Sequence, residues 1–252
     1  MMNNTLSGKV ALITGGSRGL GAATAAALAA QGADVAISYV ASADKAAAVV
    51  AKLQKSGVRA AAFQADQGDP AAPMRLIQQV VDRFGQLDIL VNNAAVAWQG
   101  HKIDDPAIDN AAMDRQWAIN THGVIATLRA AVKVLPEGGR IISVGSGLGT
   151  RVAFAGTTDY AASKAAIVAY SRGAARDLGA RKITVNVVQA GVMDTDMAAN
   201  SQGKLPPGLL ETFAIPRYAT LEEVTATIVF LAGPEAGFIT GSVIEVNGGF
   251  TA

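Results

Sequence analysis

Short apolar runs alternate with longer stretches of helical period along almost the whole chain. "KVALIT" (9–14), "DVAISYV" (34–40), "VRAAAFQAD" (58–66), "LDILVNNA" (87–94), "GRIISVGS" (139–146), "ITVNVVQAG" (183–191) and "SVIEVNGG" (242–249) read as strands. Between them the spacing predicts helices over 20–32, 42–57, 70–85, about 108–135, 157–178 and 221–232. The punctuation agrees. Gly32 stops the first helix, Ser42 and Gly57 bracket the second as N-cap and C′, and Pro136 closes the long fourth one. Most strand runs are continuously apolar rather than alternating, so both sheet faces need cover. That is the mark of a parallel sheet between helix layers, here a doubly wound α/β fold of about seven strands in one domain, 1–252. Ligands on such sheets bind beyond the carboxyl ends of the strands.

Composition narrows the function. Half of the 252 residues are hydrophobic and 16% are charged, and no apolar run is long enough for a membrane span. A net charge of +1 with no basic block gives no reason to expect nucleic acid as a partner. There is no cysteine, and His101 and His122 share no ligand spacing, so no metal site is expected. "MMNNTLSGKV" carries no apolar signal core, and a cytoplasmic protein is expected.

The first strand runs into "TGGSRGLG", Thr14 to Gly21, which opens the first helix. Glycines at that point permit a tight turn and a close approach of backbone N–H groups to a pyrophosphate. Gly15, Ser17, Arg18, Gly19 and Leu20 are therefore cofactor candidates. The second strand ends "ISYVASADK", with Ser38 and Tyr39 where an acid would hold the 2′-hydroxyl of NAD, and Ser42 just beyond. Arg18 suits a 2′-phosphate, so NADP(H) is favoured over NAD(H); as a solvated loop residue it would carry no such preference.

A second constellation carries chemistry. Tyr160 and Lys164 stand one helical turn apart in "DYAASKAAIVAY", and Ser146 ends a strand 14 residues before Tyr160. Reduction of a ketone leaves an alkoxide that needs a proton. A phenol near pKa 10 becomes a better source when a neighbouring ammonium favours its phenolate. Tyr160 is then the general acid in reduction and the base in oxidation, with Ser146 bonding the substrate oxygen. Ser143 is the rival serine, but it should lie inside the strand. Trp98, Leu148, Arg151, Phe154, Met193, Met197 and Phe213 are substrate-pocket candidates, and the Gly- and Pro-containing stretch 192–215 reads as a substrate loop. Such a lining suits a neutral ketone or secondary alcohol.

These motifs, in this order, resemble the short-chain dehydrogenase/reductase family and its 3-oxoacyl-carrier-protein-reductase-like branch. The resemblance implies a Rossmann-type fold, oxidoreductase activity and a homotetramer. It implies that Asp66 meets the adenine, that Asn93 and Ala94 of "NNAA" flank the cofactor, and that Gly191, Val192 and Thr195 close over the nicotinamide. It further implies that Lys164 binds the nicotinamide ribose and that catalytic Asn120 supports a water in proton relay. Ala95 and Ala190 depart from the family's usual Gly and Pro. Two alternatives stay open: an NAD-preferring alcohol dehydrogenase, and a non-catalytic nucleotide-binding or sensing protein of the same fold.

Overall fold

Branched apolar residues fill seven strands: β1 (Val10–Ile13), β2 (Asp34–Tyr39), β3 (Ala60–Gln64), β4 (Ile89–Asn92), β5 (Arg140–Val144), β6 (Thr184–Ala190) and β7 (Val243–Val246). They form one sheet in the order β3-β2-β1-β4-β5-β6-β7, parallel at every pairing, in a computed structural model that describes residues 4–197 and 208–252. The helices are α1 (Gly19–Ala30), α2 (Ala43–Lys55), α3 (Ala72–Phe84), α4 (Asn110–Trp117), α5 (Val124–Ala131), α6 (Thr158–Leu178) and α7 (Leu221–Ala232).

The pleat sends alternate strand residues into two cores. Ala11 and Ile13 of β1 pack with α1, α2 and α7 through Leu28, Leu53 and Ile228. Val10 and Leu12 pack on the other face with α3, α5 and α6 through Ile77, Leu128 and Ala174. Continuous apolar runs were needed because the central strands are covered twice. From β1 the chain winds outward to β3, then crosses back to place β4 on the other side of β1. After β1 and β4 the chain goes on to helices on opposite faces of the sheet, and a crevice opens at the carboxyl ends.

A single helix over 108–135 does not form. Asp109 caps α4 by accepting from the Ala112 N–H (3.1 Å), and α4 then passes into a π-helical segment, Ala118–Gly123, before α5 resumes. The wider coil follows from its neighbours. Gly123 lies so close to the backbone of Gln67 that an added Cβ would collide with it, and Thr127 Oγ1 bonds the Gly123 carbonyl (2.8 Å). Beyond Ala131 the N–H groups of Lys133 and Val134 bond three residues back, so the helix tightens and ends before Pro136. Ser42 does precede α2, but its hydroxyl makes no capping bond.

Candidate active site

Gly15 and Gly21 show why the loop after β1 must be glycine-rich. Gly15 has φ +67, and a Cβ there would lie 2.9 Å from Ala94 Cα. A Cβ on Gly21 would strike the Gly15 carbonyl oxygen. The loop therefore folds back tightly onto the start of α1. Arg18 occupies the N-cap in extended conformation, its side chain makes no cap bond, and the first turn holds no acid. The α1 N-terminus thus presents donors and a positive dipole end to the crevice. These features fit a dinucleotide pyrophosphate.

Two side chains brace the loop from neighbouring strands. Ser38 Oγ accepts from the Gly15 N–H (3.2 Å), and Asn93 Nδ2 donates to the carbonyls of Thr14 (2.8 Å) and Gly15 (3.2 Å). Thr14 Oγ1 in turn accepts from the N–H groups of Asn93 and Ala94, both at 3.0 Å. Asn93 therefore acts on the loop rather than through a free amide. Asn93→Ala is expected to raise KM for NADPH and NADH alike, by about tenfold, since it leaves two carbonyls short of partners; steady-state kinetics with both cofactors checks this.

A cleft of about 960 Å³ runs from this loop across the carboxyl ends of β4, β5 and β6. Gly15, Ser17, Arg18, Gly19 and Leu20 line one end, with Tyr39, Ser42 and Asp66 beside them. Asp66 does not offer a free carboxylate. Both its oxygens accept from Arg115 Nη2 at 2.6 Å, and one accepts from the Gly68 N–H at 2.9 Å. Gly191, Val192 and Thr195 line the opposite wall.

Ser146, Tyr160 and Lys164 come together at the other end. The start of α6 is tied to the end of α4 and to the π-helical segment, and it is braced by a bond within α6 itself. Trp117 Nε1 donates to Asp159 (3.0 Å), Thr121 Oγ1 to the Ser163 carbonyl (3.2 Å), and Ser163 Oγ to the Tyr160 carbonyl (2.7 Å). Tyr160 is 8% and Lys164 5% exposed, so both meet the cleft from within the fold. Lys164 Nζ donates to the Val144 carbonyl (3.0 Å) and lies 5.8 Å from the centre of the Tyr160 ring. Burial lowers the Lys164 ammonium to about 8. The expectation that the ammonium pulls the phenol down is reversed. Burial pushes Tyr160 up to about 12, with a hydrogen bond to Ser146 opposing it, because the phenolate loses its water. Ser143 is inside β5, 1% exposed and held by Asn92 Nδ2 (3.4 Å), so Ser146 is the serine at the cleft.

Asn120 is 1% exposed and its side chain does not line the cleft. Its amide clasps Val96, accepting from the N–H (2.9 Å) and donating to the carbonyl (2.8 Å), and it also reaches Ser163 Oγ (3.3 Å). The amide is spent on joining three segments. Among the substrate candidates Leu148, Phe154, Met193, Met197 and Phe213 line the cleft. Trp98 does not: its ring stacks on His101, centroids 4.4 Å apart, and Gln116 holds its backbone N–H. Arg151 does not either, because its guanidinium donates to the Phe250 carbonyl and lies 5.5 Å from that ring's centre. The loop predicted over 192–215 is described only at its two ends; 198–207 lie outside the described residues.

Several lining residues escaped the sequence reading, among them Asp196 and four others. Lys45, three residues after Ser42, carried a signal in the "SADK" turn. Arg115 carried none beyond its place on a helix. Leu209 and Phe250 join Phe213 in an apolar cluster, which no local pattern in "NGGFTA" announces.

Fold, glycine loop and the Ser146–Tyr160–Lys164 set together define an NAD(P)-dependent oxidoreductase. The chain belongs to the short-chain dehydrogenase/reductase family, within which the family described as enoyl-(acyl carrier protein) reductase matches residues 15–251. It is 41% identical over 245 residues to the cyclic-di-GMP-binding biofilm dispersal mediator protein of Escherichia coli K12, covering 97% of this chain and 98% of that protein. It is 35% identical over 250 residues to the 3-oxoacyl-[acyl-carrier-protein] reductase FabG of Staphylococcus aureus Mu50, covering 96% of this chain and 97% of the relative. Among solved structures, a short chain dehydrogenase from Burkholderia cenocepacia J2315 in complex with NADP superposes with a TM-score of 0.93. It is 47% identical, covering 98% of this chain and 100% of that one.

Proposed function

We propose that the protein is an NADP(H)-dependent ketoreductase that acts on neutral, largely apolar ketones, with Tyr160 as the proton donor. The observation that carries this reading is one cleft with a cationic, helix-N-terminal end and a buried Ser146–Tyr160–Lys164 end. The structure solved with NADP, 47% identical to this chain, supports the choice of cofactor. Gly15, Ser17, Gly19 and Leu20 would hold the pyrophosphate, and Arg18 the 2′-phosphate. Tyr39, Ser42 and Asp66 would frame the adenosine, and Ala94, Gly191, Val192 and Thr195 the nicotinamide side. A nicotinamide dinucleotide, when bound, supplies the hydride that the carbonyl carbon takes up.

The protein's own residues manage the oxygen. The Ser146 hydroxyl donates to the carbonyl oxygen as negative charge grows there. Tyr160 then gives its proton to that oxygen. The phenol, pushed up by burial, carries its proton at neutral pH and so has one to give. The Lys164 ammonium stabilises the phenolate left behind and would bond the nicotinamide ribose. Asn120 positions the set by tying α6 to the loop after β4, and its segment is the candidate support for a relay water. Leu148, Phe154, Met193 and Phe213 offer no charge, so a neutral substrate fits. Phe230 on α7 and Phe238 just before β7 are exposed; the homotetrameric form remains what the family resemblance implies.

NADPH and NADH absorbance followed with a panel of neutral ketones tests the reading; no loss of either cofactor with any ketone overturns it. The E. coli relative's name supports a second reading, in which the cleft binds a cyclic dinucleotide without turnover. In that case cyclic-di-GMP would bind and no ketone would be reduced. Arg18→Ala is expected to raise KM for NADPH about tenfold while leaving KM for NADH within about twofold, the loss of one charge-assisted contact. An equal effect on both would remove Arg18 from 2′-phosphate recognition.

A further inference from the structure

Arg18, Lys45 and Asp196 belong to three different segments: the loop after β1, the first turn of α2 and the loop after β6. All three line the cleft at its adenosine end. Asp196 Oδ2 sits 2.8 Å from Arg18 Nη1 and 3.7 Å from Lys45 Nζ. Among the described residues neither cation pairs with another carboxylate. The contact bridges the walls of the cleft, and Thr195 next door lies against Gly19, where a Cβ would come 3.7 Å from the Thr195 methyl.

We propose that Asp196 is an internal competitor for the cation pair Arg18 and Lys45, and so a residue that limits the preference for the phosphorylated cofactor. The proposal rests on the NADP(H) reading above. A 2′-phosphate carries close to two negative charges at neutral pH and three acceptor oxygens. A carboxylate held on the same two cations repels it, so the carboxylate must leave or share. A 2′-hydroxyl makes no such demand, and Asp196 stays in place. The Arg18 hydrogen bond and the two nearby cations hold the Asp196 carboxyl below its ordinary range, so the competitor is ionised throughout the neutral region. All three side chains are about half exposed, so the contact is weak enough for a dianion to displace it.

The test measures binding of adenosine 2′,5′-bisphosphate and adenosine 5′-monophosphate to the full chain by calorimetry, with wild type, Asp196→Asn and Asp196→Ser. The expected result has two parts. Wild type binds the bisphosphate more tightly than the monophosphate. Both variants tighten the bisphosphate by about threefold, as for loss of one exposed charge contact, with the monophosphate unchanged within error. An unchanged ratio in both variants, or weaker bisphosphate binding, overturns the competitor role alone. Equal binding of the two probes by wild type overturns the NADP(H) reading and this proposal with it.

Discussion

Tyr160→Phe is expected to lower kcat for ketone reduction by about a thousandfold, within the range that a positioned general acid contributes. The substitution keeps the ring, which is 8% exposed and packed, and removes only the hydroxyl. Ser146 loses one hydrogen-bond partner, a cost of about 1 kcal/mol that should not unfold a chain of this size. NADPH affinity should stay within about threefold, because most cofactor contacts assigned above lie elsewhere. Steady-state kinetics and a fluorescence titration of NADPH check both halves. Near-normal turnover would remove Tyr160 from the proton-donor role.

Lys164→Met is expected to cost activity and gain stability at the same time. The ammonium is 5% exposed and its pKa falls to about 8 from 10.5, which is about 3 kcal/mol of strain against the charged form. The Val144 carbonyl loses its donor, about 1 kcal/mol the other way, so a net gain of about 2 kcal/mol is expected at pH 7. The pH dependence has a definite sign. Between about 8 and 10.5 the unfolded chain holds the Lys164 proton and the folded one does not, so wild-type stability rises with pH. The stabilisation by Lys164→Met is therefore largest below pH 8 and fades as pH climbs toward 10.5. Thermal unfolding of both proteins across that range measures it. The same substitution should lower kcat by about a hundredfold, since the phenolate left on Tyr160 would have no cation beside it. A fold that tolerates an uncomfortable buried charge at this position makes sense when the charge serves chemistry.

The sheet was legible because strands covered on both faces must be mostly apolar throughout, and "VALI", "ILV" and "IISV" are. The grouping of Ser146, Tyr160 and Lys164 was legible because Tyr160 and Lys164 are fixed by one helical turn and Ser146 follows the end of β5. Other features depend on contacts that no local pattern encodes. The π-helical segment at Ala118–Gly123 arises where Gly123 meets Gln67 and Asn120 meets Val96, each brought in by another strand. Asn120 and Asp66 were readable as positions, but not as groups already committed to Val96 and Arg115. Trp98 was readable as a large aromatic near the site, and only the stack on His101 shows that it serves the loop instead. The sign of the Tyr160 shift was missed because sequence reveals a neighbouring charge and says nothing of burial.

Hydride transfer to a carbonyl carbon is the central claim, and an isotope reports on it directly. Reduction of a neutral aryl or alkyl ketone with NADPH carrying deuterium at the transferable position should give an alcohol with one deuterium on the former carbonyl carbon, formed one-for-one with oxidised cofactor. An alcohol without deuterium, or no alcohol while the protein still binds NADPH, would contradict it.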